Sequence, residues 1–262
     1  MTSTIFPVAL EGFERSGSAS RTRPRSHDAF LPNPAPVHGA PIRPRDTPPD
    51  LDASPRDPSA LRRAVKRGID ILGAGLALAA LSPLLIAVAA AIKLESKGPV
   101  LFRQYRYGRG GKLFRIYKFR TMYAEASDQT GVRQTTRDDP RVTPVGRFLR
   151  RMNLDELPQL LNILKGEMSL VGPRPQVPGQ LAGGIKYEYL VPYYFERHLM
   201  RPGLTGLAQV NDCRGSTAEP QKAIARINYD LDYIESWSLA LDLKIILRTI
   251  ASEFILGRRA GY

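Results

Sequence analysis

From Ile71 to Ile92 (ILGAGLALAALSPLLIAVAAAI) the chain carries no charged residue over 22 positions, and no other stretch limits its fold so tightly. As one helix this run extends about 33 Å at ~1.5 Å per residue, enough for a bilayer core. Its default reading is therefore a membrane helix. Two features oppose a straight crossing. Ser82-Pro83 sits at the midpoint, where proline removes one helix hydrogen bond and its ring crowds the preceding turn. Both flanks are basic, with Arg62, Arg63, Lys66 and Arg67 before the run and Lys93, Lys97, Arg103, Arg106 and Arg109 after it. Positive charge favours the cytoplasmic side, and here it would hold both ends there. A re-entrant helix that bends at Ser82-Pro83 and returns to the face it entered satisfies both features, each arm of about 11 residues reaching roughly half the core depth. A straight crossing helix and a buried helix of a soluble protein stay open as alternatives. The Ser82 hydroxyl is well placed to satisfy a backbone group freed by the proline. Asp70 lies at the mouth of the segment and would be costly any deeper. It is expected at the interface, paired with Lys66 or Arg67.

The flanking composition divides the chain into three parts. Residues 1–60 hold eleven of the 22 prolines and little apolar periodicity, so they cannot bury enough surface to offset ordering entropy and read as a disordered tail. Their first 25 residues lack a continuous apolar stretch and are not expected to be a secretory signal. Residues 61–97 form the membrane segment, and residues 98–262 a cytoplasmic domain. The tail is close to neutral, so nearly all of the net charge of +13 lies beyond it. A basic folded region calls for an anionic partner: nucleic acid, acidic lipid or a phosphorylated substrate. No helix-turn-helix or zinc signature supports nucleic acid, which would also leave the apolar run without a purpose. With Cys213 as the single cysteine, neither an intrachain disulfide nor a cysteine metal cage can form.

Past the apolar run, Pro99–Gly108 and Lys112–Arg120 are aromatic-rich with partial period-2 alternation around Arg109-Gly110-Gly111, which predicts a β-hairpin. A helix is expected from Thr143-Pro144 to about Arg151, and another from Leu154 to Leu164 ending at Lys165-Gly166. Leu243, Ile246, Leu247, Ile250 and Phe254 recur at helical spacing among Asp242, Lys244 and Arg248, the mark of an amphipathic helix that packs on the core or lies on a membrane surface. The fold class expected is α+β and mostly helical.

Asn153-Leu-Asp-Glu-Leu-Pro-Gln159 places two adjacent carboxylates, Asp155 and Glu156, in a first helical turn. One account is structural: Asn153 caps the helix, Glu156 completes a capping box, and the acids suit the helix dipole. The other is chemical. Arg147, Arg150, Arg151 and Arg174 surround the pair in sequence, favouring ionisation, and an ionised Asp155 could act as nucleophile while its neighbour holds a divalent cation. His198 has no evident partner and reads as structural.

These residues occur together with Lys66-Arg67-x-x-Asp70, Gly98-Pro-Val-Leu-Phe-Arg-Gln104, Tyr117-Lys-Phe-Arg-Thr-Met122, Gly166-Glu-Met-Ser-Leu-Val-Gly-Pro-Arg-Pro175 and Arg201-Pro-Gly-Leu-Thr-Gly-Leu-Ala-Gln-Val210. Each motif alone is moderately specific, but the ordered set resembles the bacterial sugar transferases, the monotopic polyprenyl-phosphate phosphoglycosyl transferases, over about residues 61–255. The resemblance implies an enzyme at the cytoplasmic face of the bacterial inner membrane. It implies transfer of a sugar 1-phosphate from a UDP-sugar, glucose or galactose in type, to undecaprenyl phosphate with release of UMP, early in exopolysaccharide, O-antigen, capsule or glycoconjugate synthesis. Asp155 would be the nucleophile, Glu156 a ligand of Mg²⁺, and Arg174 a phosphate ligand, with Arg120, Arg147 and Arg151 as weaker candidates for that last role, each read rather as a lipid-head-group or structural charge. Lys66, Arg67 and the other juxtamembrane cations would attract anionic membrane lipid. The sequence leaves the oligomeric state open, a homo-oligomer included, and Asn211–Pro220 gives no handle on the sugar.

Overall fold

The computed structural model describes residues 60–127, 135–136, 138–191, 193–213, 215 and 219–252. The tail expected over residues 1–60 thus lies outside the described residues except for Ala60, which opens the first helix. That helix, α1, runs from Ala60 to Glu95 as one element of 36 residues with Pro83 inside it. Pro83 has no N–H to give to Ala79, four residues back, and the Ser82 hydroxyl donates to the Ala79 carbonyl at 2.9 Å instead. The acceptor that proline strands is therefore satisfied locally, and the two arms expected on either side of Ser82-Pro83 belong to one helix. Among the described residues α1 alone is long and apolar enough to cross a membrane.

The expected hairpin follows as β1 (Leu101–Tyr107) and β2 (Leu113–Phe119), paired antiparallel. Next come α2 (Pro144–Arg151), capped by the Thr143 hydroxyl, and α3 (Gln159–Lys165), which ends at a left-handed Gly166. A three-residue strand β3 (Ser169–Val171) leads into β4 (Leu181–Ala182), β5 (Ile185–Lys186) and the short α4 (Tyr187–Leu190). After β6 (Gly203–Thr205) and α5 (Leu207–Val210), the chain closes with α6 (Pro220–Ser236) and α7 (Leu239–Ile250). β4 pairs with β5, and β6 returns to pair parallel with β3. The fold is α+β with helix predominating, as expected.

Both halves of α1 pack on this domain, but by different clusters. Ala74, Ala77 and Leu78 meet Phe114, Ile116, Leu160, Ile163 and Met168. Leu85, Val88, Ala89 and Ile92 meet Leu101, Phe119 and Leu149. Between them Ala79, Ala80, Ser82, Pro83 and Leu84 are exposed. The ends of α1 are tied down by polar bonds as well. Lys66 donates to Asp242 at 2.6 Å and to the Val171 carbonyl at 3.1 Å, and Arg67 donates to the Ile163 and Leu164 carbonyls at 2.7 and 3.0 Å.

Asp70 departs from expectation. It is buried and accepts from the Ser169 hydroxyl at 3.0 Å and the Leu170 N–H at 2.9 Å, rather than pairing with Lys66 or Arg67. The domain covers this side of α1, so β3 offers neutral donors where the sequence suggested a basic neighbour. At the other end Arg120, also buried, donates to the carbonyls of Lys97, Ser96 and Ile92 at 2.6, 2.7 and 3.3 Å. It closes the C-terminus of α1, where a helix leaves unpaired carbonyls and favours cations.

The largest core cluster joins Ala223, Ile227, Leu231 and Ile234 of α6 to Tyr187, Tyr194, Val171 and Ile245. On α7 the inward residues are Leu241, Ile245 and Ile246, while Leu243, Leu247 and Ile250 are 57%, 58% and 48% exposed. The predicted apolar stripe thus splits, with one side in the core and one left on the surface; Phe254 lies outside the described residues.

Candidate active site

Strand alternation builds the first wall. The hairpin register sets Phe102 opposite Lys118, Gln104 opposite Ile116 and Arg106 opposite Phe114, so Lys118 and Arg106 share the face that packs inward. The second wall begins after α2. Asn153 takes a left-handed conformation (φ 54°) and makes no capping bond from its side chain, and Leu154–Glu156 forms a single 3₁₀ turn ahead of α3. The capping role expected for Asn153 and Glu156 is therefore absent. The helix proper starts past Pro158, and the strained residue serves to turn the two carboxylates toward the hairpin. The third wall is the Gly172-Pro-Arg-Pro175 turn after β3. Gly172 and Gly203 pass so close that a Cβ on Gly203 would sit 2.1 Å from the Gly172 nitrogen, which only glycine allows.

These walls bring Asp155, Glu156, Lys118 and Arg174 together. Arg174 grips Glu156 through two hydrogen bonds, Nη2 to Oε1 at 2.6 Å and Nη1 to Oε2 at 3.2 Å. Lys118 donates to the same Oε1 at 2.7 Å and stands 3.9 Å from Asp155 Oδ2. Burial works against the Glu156 charge, but Arg174 and Lys118 outweigh it and hold its pKa well below the usual carboxylate range. Asp155 is treated otherwise. It is 8% exposed, and among the described residues no donor is hydrogen-bonded to its carboxylate. Burial raises its pKa, Lys118 opposes that rise, and the adjacent Glu156 charge adds to it. One carboxylate is fixed as a charged anchor; its neighbour is left with free oxygens facing a cation.

The other expected residues are distributed as follows. Arg147 and Arg151 lie exposed on α2, and it is Arg150 between them whose charge acts on Asp155 while its Nε donates to the Thr121 hydroxyl at 2.8 Å. Arg120 is occupied at the end of α1, as described. Arg106, which shares the hairpin's inner face, donates to the Pro175 carbonyl at 3.3 Å. Burial and the Arg174 charge bring its pKa down to about 10, so it is still a cation at neutral pH. His198 packs among Tyr107, Tyr194 and Phe195. Burial and then Arg197 lower its pKa to about 3, so it is neutral and structural, as its sequence context suggested. Nothing in the motif order sets Lys118 apart, although its parity with Ile116 on β2 is a signal for the inward face.

Asp155, buried, and Glu156, partly buried, thus lie amid the charges of Lys118, Arg106, Arg150 and Arg174. The sequence matches the bacterial sugar transferase family over residues 61–255, and the chain belongs to that family. It is 52% identical to the exopolysaccharide production protein PSS of Rhizobium leguminosarum bv. phaseoli, over 74% of this chain and 97% of that protein. It is 46% identical to the UDP-glucose:undecaprenyl-phosphate glucose-1-phosphate transferase of Escherichia coli K12, over 78% of this chain and 43% of that enzyme. It is 45% identical to the UDP-N-acetylgalactosamine-undecaprenyl-phosphate N-acetylgalactosaminephosphotransferase of Aeromonas hydrophila, over 74% and 44%. The chain thus spans nearly the whole of the first relative and less than half of the other two.

Proposed function

We propose that this protein is a phosphoglycosyl transferase that moves a sugar 1-phosphate from a UDP-sugar to undecaprenyl phosphate in two displacements at Asp155. In the first, an Asp155 oxygen attacks the phosphorus that bears the sugar, and the bond to UMP breaks. In the second, a phosphate oxygen of undecaprenyl phosphate attacks the same phosphorus and the bond to Asp155 breaks, leaving a polyprenyl-diphosphate sugar. The observation that carries this reading is the unequal treatment of the acid pair: both Glu156 oxygens are engaged, whereas Asp155 offers unbonded oxygens beside Lys118. Dividing the transfer into two steps avoids bringing two polyanions together at once. Arg174, whose planar fork suits phosphate oxygens, and Lys118 would neutralise the charge that develops on them.

Magnesium fits this donor set. Among the described residues no group of three or more His, Cys, Asp or Glu forms, and Mg²⁺ is commonly held by one or two carboxylates plus substrate phosphates. Glu156 would hold it by giving up its Lys118 contact, and when bound the ion would supply positive charge to the diphosphate oxygens.

Attachment to the membrane is proposed as re-entrant. Lys66, Arg67 and Asp70 bind the N-terminal part of α1 to the domain, and Arg120 with the Glu95 carboxylate, which accepts from the Val145 N–H at 2.8 Å, binds the C-terminal part. Two ends held by one domain favour entry and exit on the same side, the cytoplasmic face of the inner membrane, with the exposed segment around Ser82-Pro83 deepest in lipid. Exposed Leu243, Leu247 and Ile250 of α7 and Phe148 of α2 would rest in the interface, with Arg147 and Arg151 near anionic head groups. The sugar is proposed as glucose, in line with the Escherichia coli relative. Purified protein in nanodiscs, given undecaprenyl phosphate, Mg²⁺ and a panel of UDP-sugars, tests the reading. UMP should form fastest with UDP-glucose; release of UDP would mean direct glycosyl transfer instead.

A further inference from the structure

The Pro173-Arg174-Pro175 turn presents its arginine to Glu156 on a backbone that proline leaves short of donors, since neither flanking residue has an N–H. Its carbonyls are nonetheless all bonded from outside. Pro173 O accepts from the Gly203 N–H at 2.9 Å, Pro175 O from Arg106 at 3.3 Å, and Gln176 O from the Tyr107 N–H at 3.0 Å. The Arg174 carbonyl accepts from Arg197 Nη2 at 2.8 Å. Arg197 is 1% exposed, lies over the Tyr194 ring, and is ion-paired with Asp230, itself 1% exposed. The backbone N–H of Arg174 in turn stabilises the Asp230 carboxylate. The N–H and the carbonyl of the residue that carries the proposed phosphate ligand are thus both served by a single buried ion pair, contributed by Tyr194–Leu199 and by the middle of α6.

A buried ion pair is a poor device for stability alone, because apolar residues of like volume often serve as well. We propose that Arg197 and Asp230 are positioning residues whose task is to hold Arg174 in reach of Glu156 and the substrate phosphates. This rests on the reading of Arg174 given above. Both bonds leave from the single nitrogen Nη2, and a lysine at this position falls short of both acceptors because its ammonium ends a bond nearer the backbone.

The test compares the parent protein in nanodiscs with Arg197→Lys and with the neutral pair Arg197→Met/Asp230→Leu. Hydrogen–deuterium exchange is followed on the peptide spanning residues 172–177, where the two prolines contribute no amide, alongside UMP release. In both variants exchange at Arg174 should rise while the rest of the domain keeps its protection, and UMP release should fall about 100-fold, the order of effect expected for roughly 1 Å of misplacement. Unchanged exchange at Arg174, or UMP release within threefold of the parent, overturns the proposal. So does a loss of turnover accompanied by faster exchange across the whole domain, since the pair would then only hold the fold. A parent that releases no UMP, combined with a selective rise at Arg174, refutes the transfer reading and leaves the clamp standing.

Discussion

Two proline-interrupted segments of this molecule are stabilised in opposite ways. At Pro173-Arg174-Pro175 the carbonyls are bonded by Gly203, Arg197 and Arg106, all distant in sequence. At Ser82-Pro83 the stranded carbonyl is satisfied by the adjacent hydroxyl, and the domain does not cover the segment. The difference follows from what surrounds each one. A turn that must aim a charged side chain within a fraction of an ångström needs partners fixed by the whole fold. On the proposed attachment the second segment lies in lipid and must settle its backbone polarity within itself, because hydrocarbon offers no partner.

Substitutions at the turn have the largest expected effects. Arg174→Ala removes the bidentate partner of Glu156 and should lower UMP release about 10³-fold, a loss of ~4 kcal/mol of transition-state stabilisation, with little change in thermal unfolding. Gly203→Ala forces the β3–β6 contact apart and should cost about 3 kcal/mol in denaturant unfolding, with turnover falling as the turn shifts. Lys118→Met sharpens the picture of the acid pair through pH. On the proposed mechanism Asp155 must be ionised to attack; its pKa already lies above the usual carboxylate value, and Lys118 is the strongest influence lowering it. Activity in the parent should therefore fall as pH drops through that raised value, and in the variant the acid limb of kcat/KM should move to still higher pH; a limb that stays put would remove Lys118 from the account. The smallest effect belongs to the helix. Ser82→Ala leaves the Ala79 carbonyl without its hydroxyl and should destabilise the nanodisc-bound protein by about 1 kcal/mol, seen as a slight fall in Tm with turnover retained.

The sequence made the acid pair and Arg174 visible because each sits in a short, ordered motif whose chemistry is local. The hairpin and the limits of α2 and α3 were visible for the same reason, through alternation, the Thr143 cap and Gly166. What stayed hidden depends on partners brought together from afar. Arg120 and Arg174 look alike on paper, yet Arg120 meets the end of α1 and Arg174 meets Glu156, and only the fold separates them. Lys118, Arg150, Arg197 and Asp230 likewise acquire their roles from strand parity and helix packing. The α7 stripe shows the limit of periodicity: spacing identified an apolar set, but which members face the core depended on where Asp242 meets Lys66 and Tyr233.

Capture of the first displacement tests the account most directly. The protein in nanodiscs is given UDP-glucose and Mg²⁺ without undecaprenyl phosphate, quenched, digested and mapped by mass spectrometry. A hexose phosphate should appear on Asp155, together with UMP, and should disappear when undecaprenyl phosphate is added. An Asp155→Asn variant that still turns over, or active protein that never carries the adduct on Asp155, would contradict it.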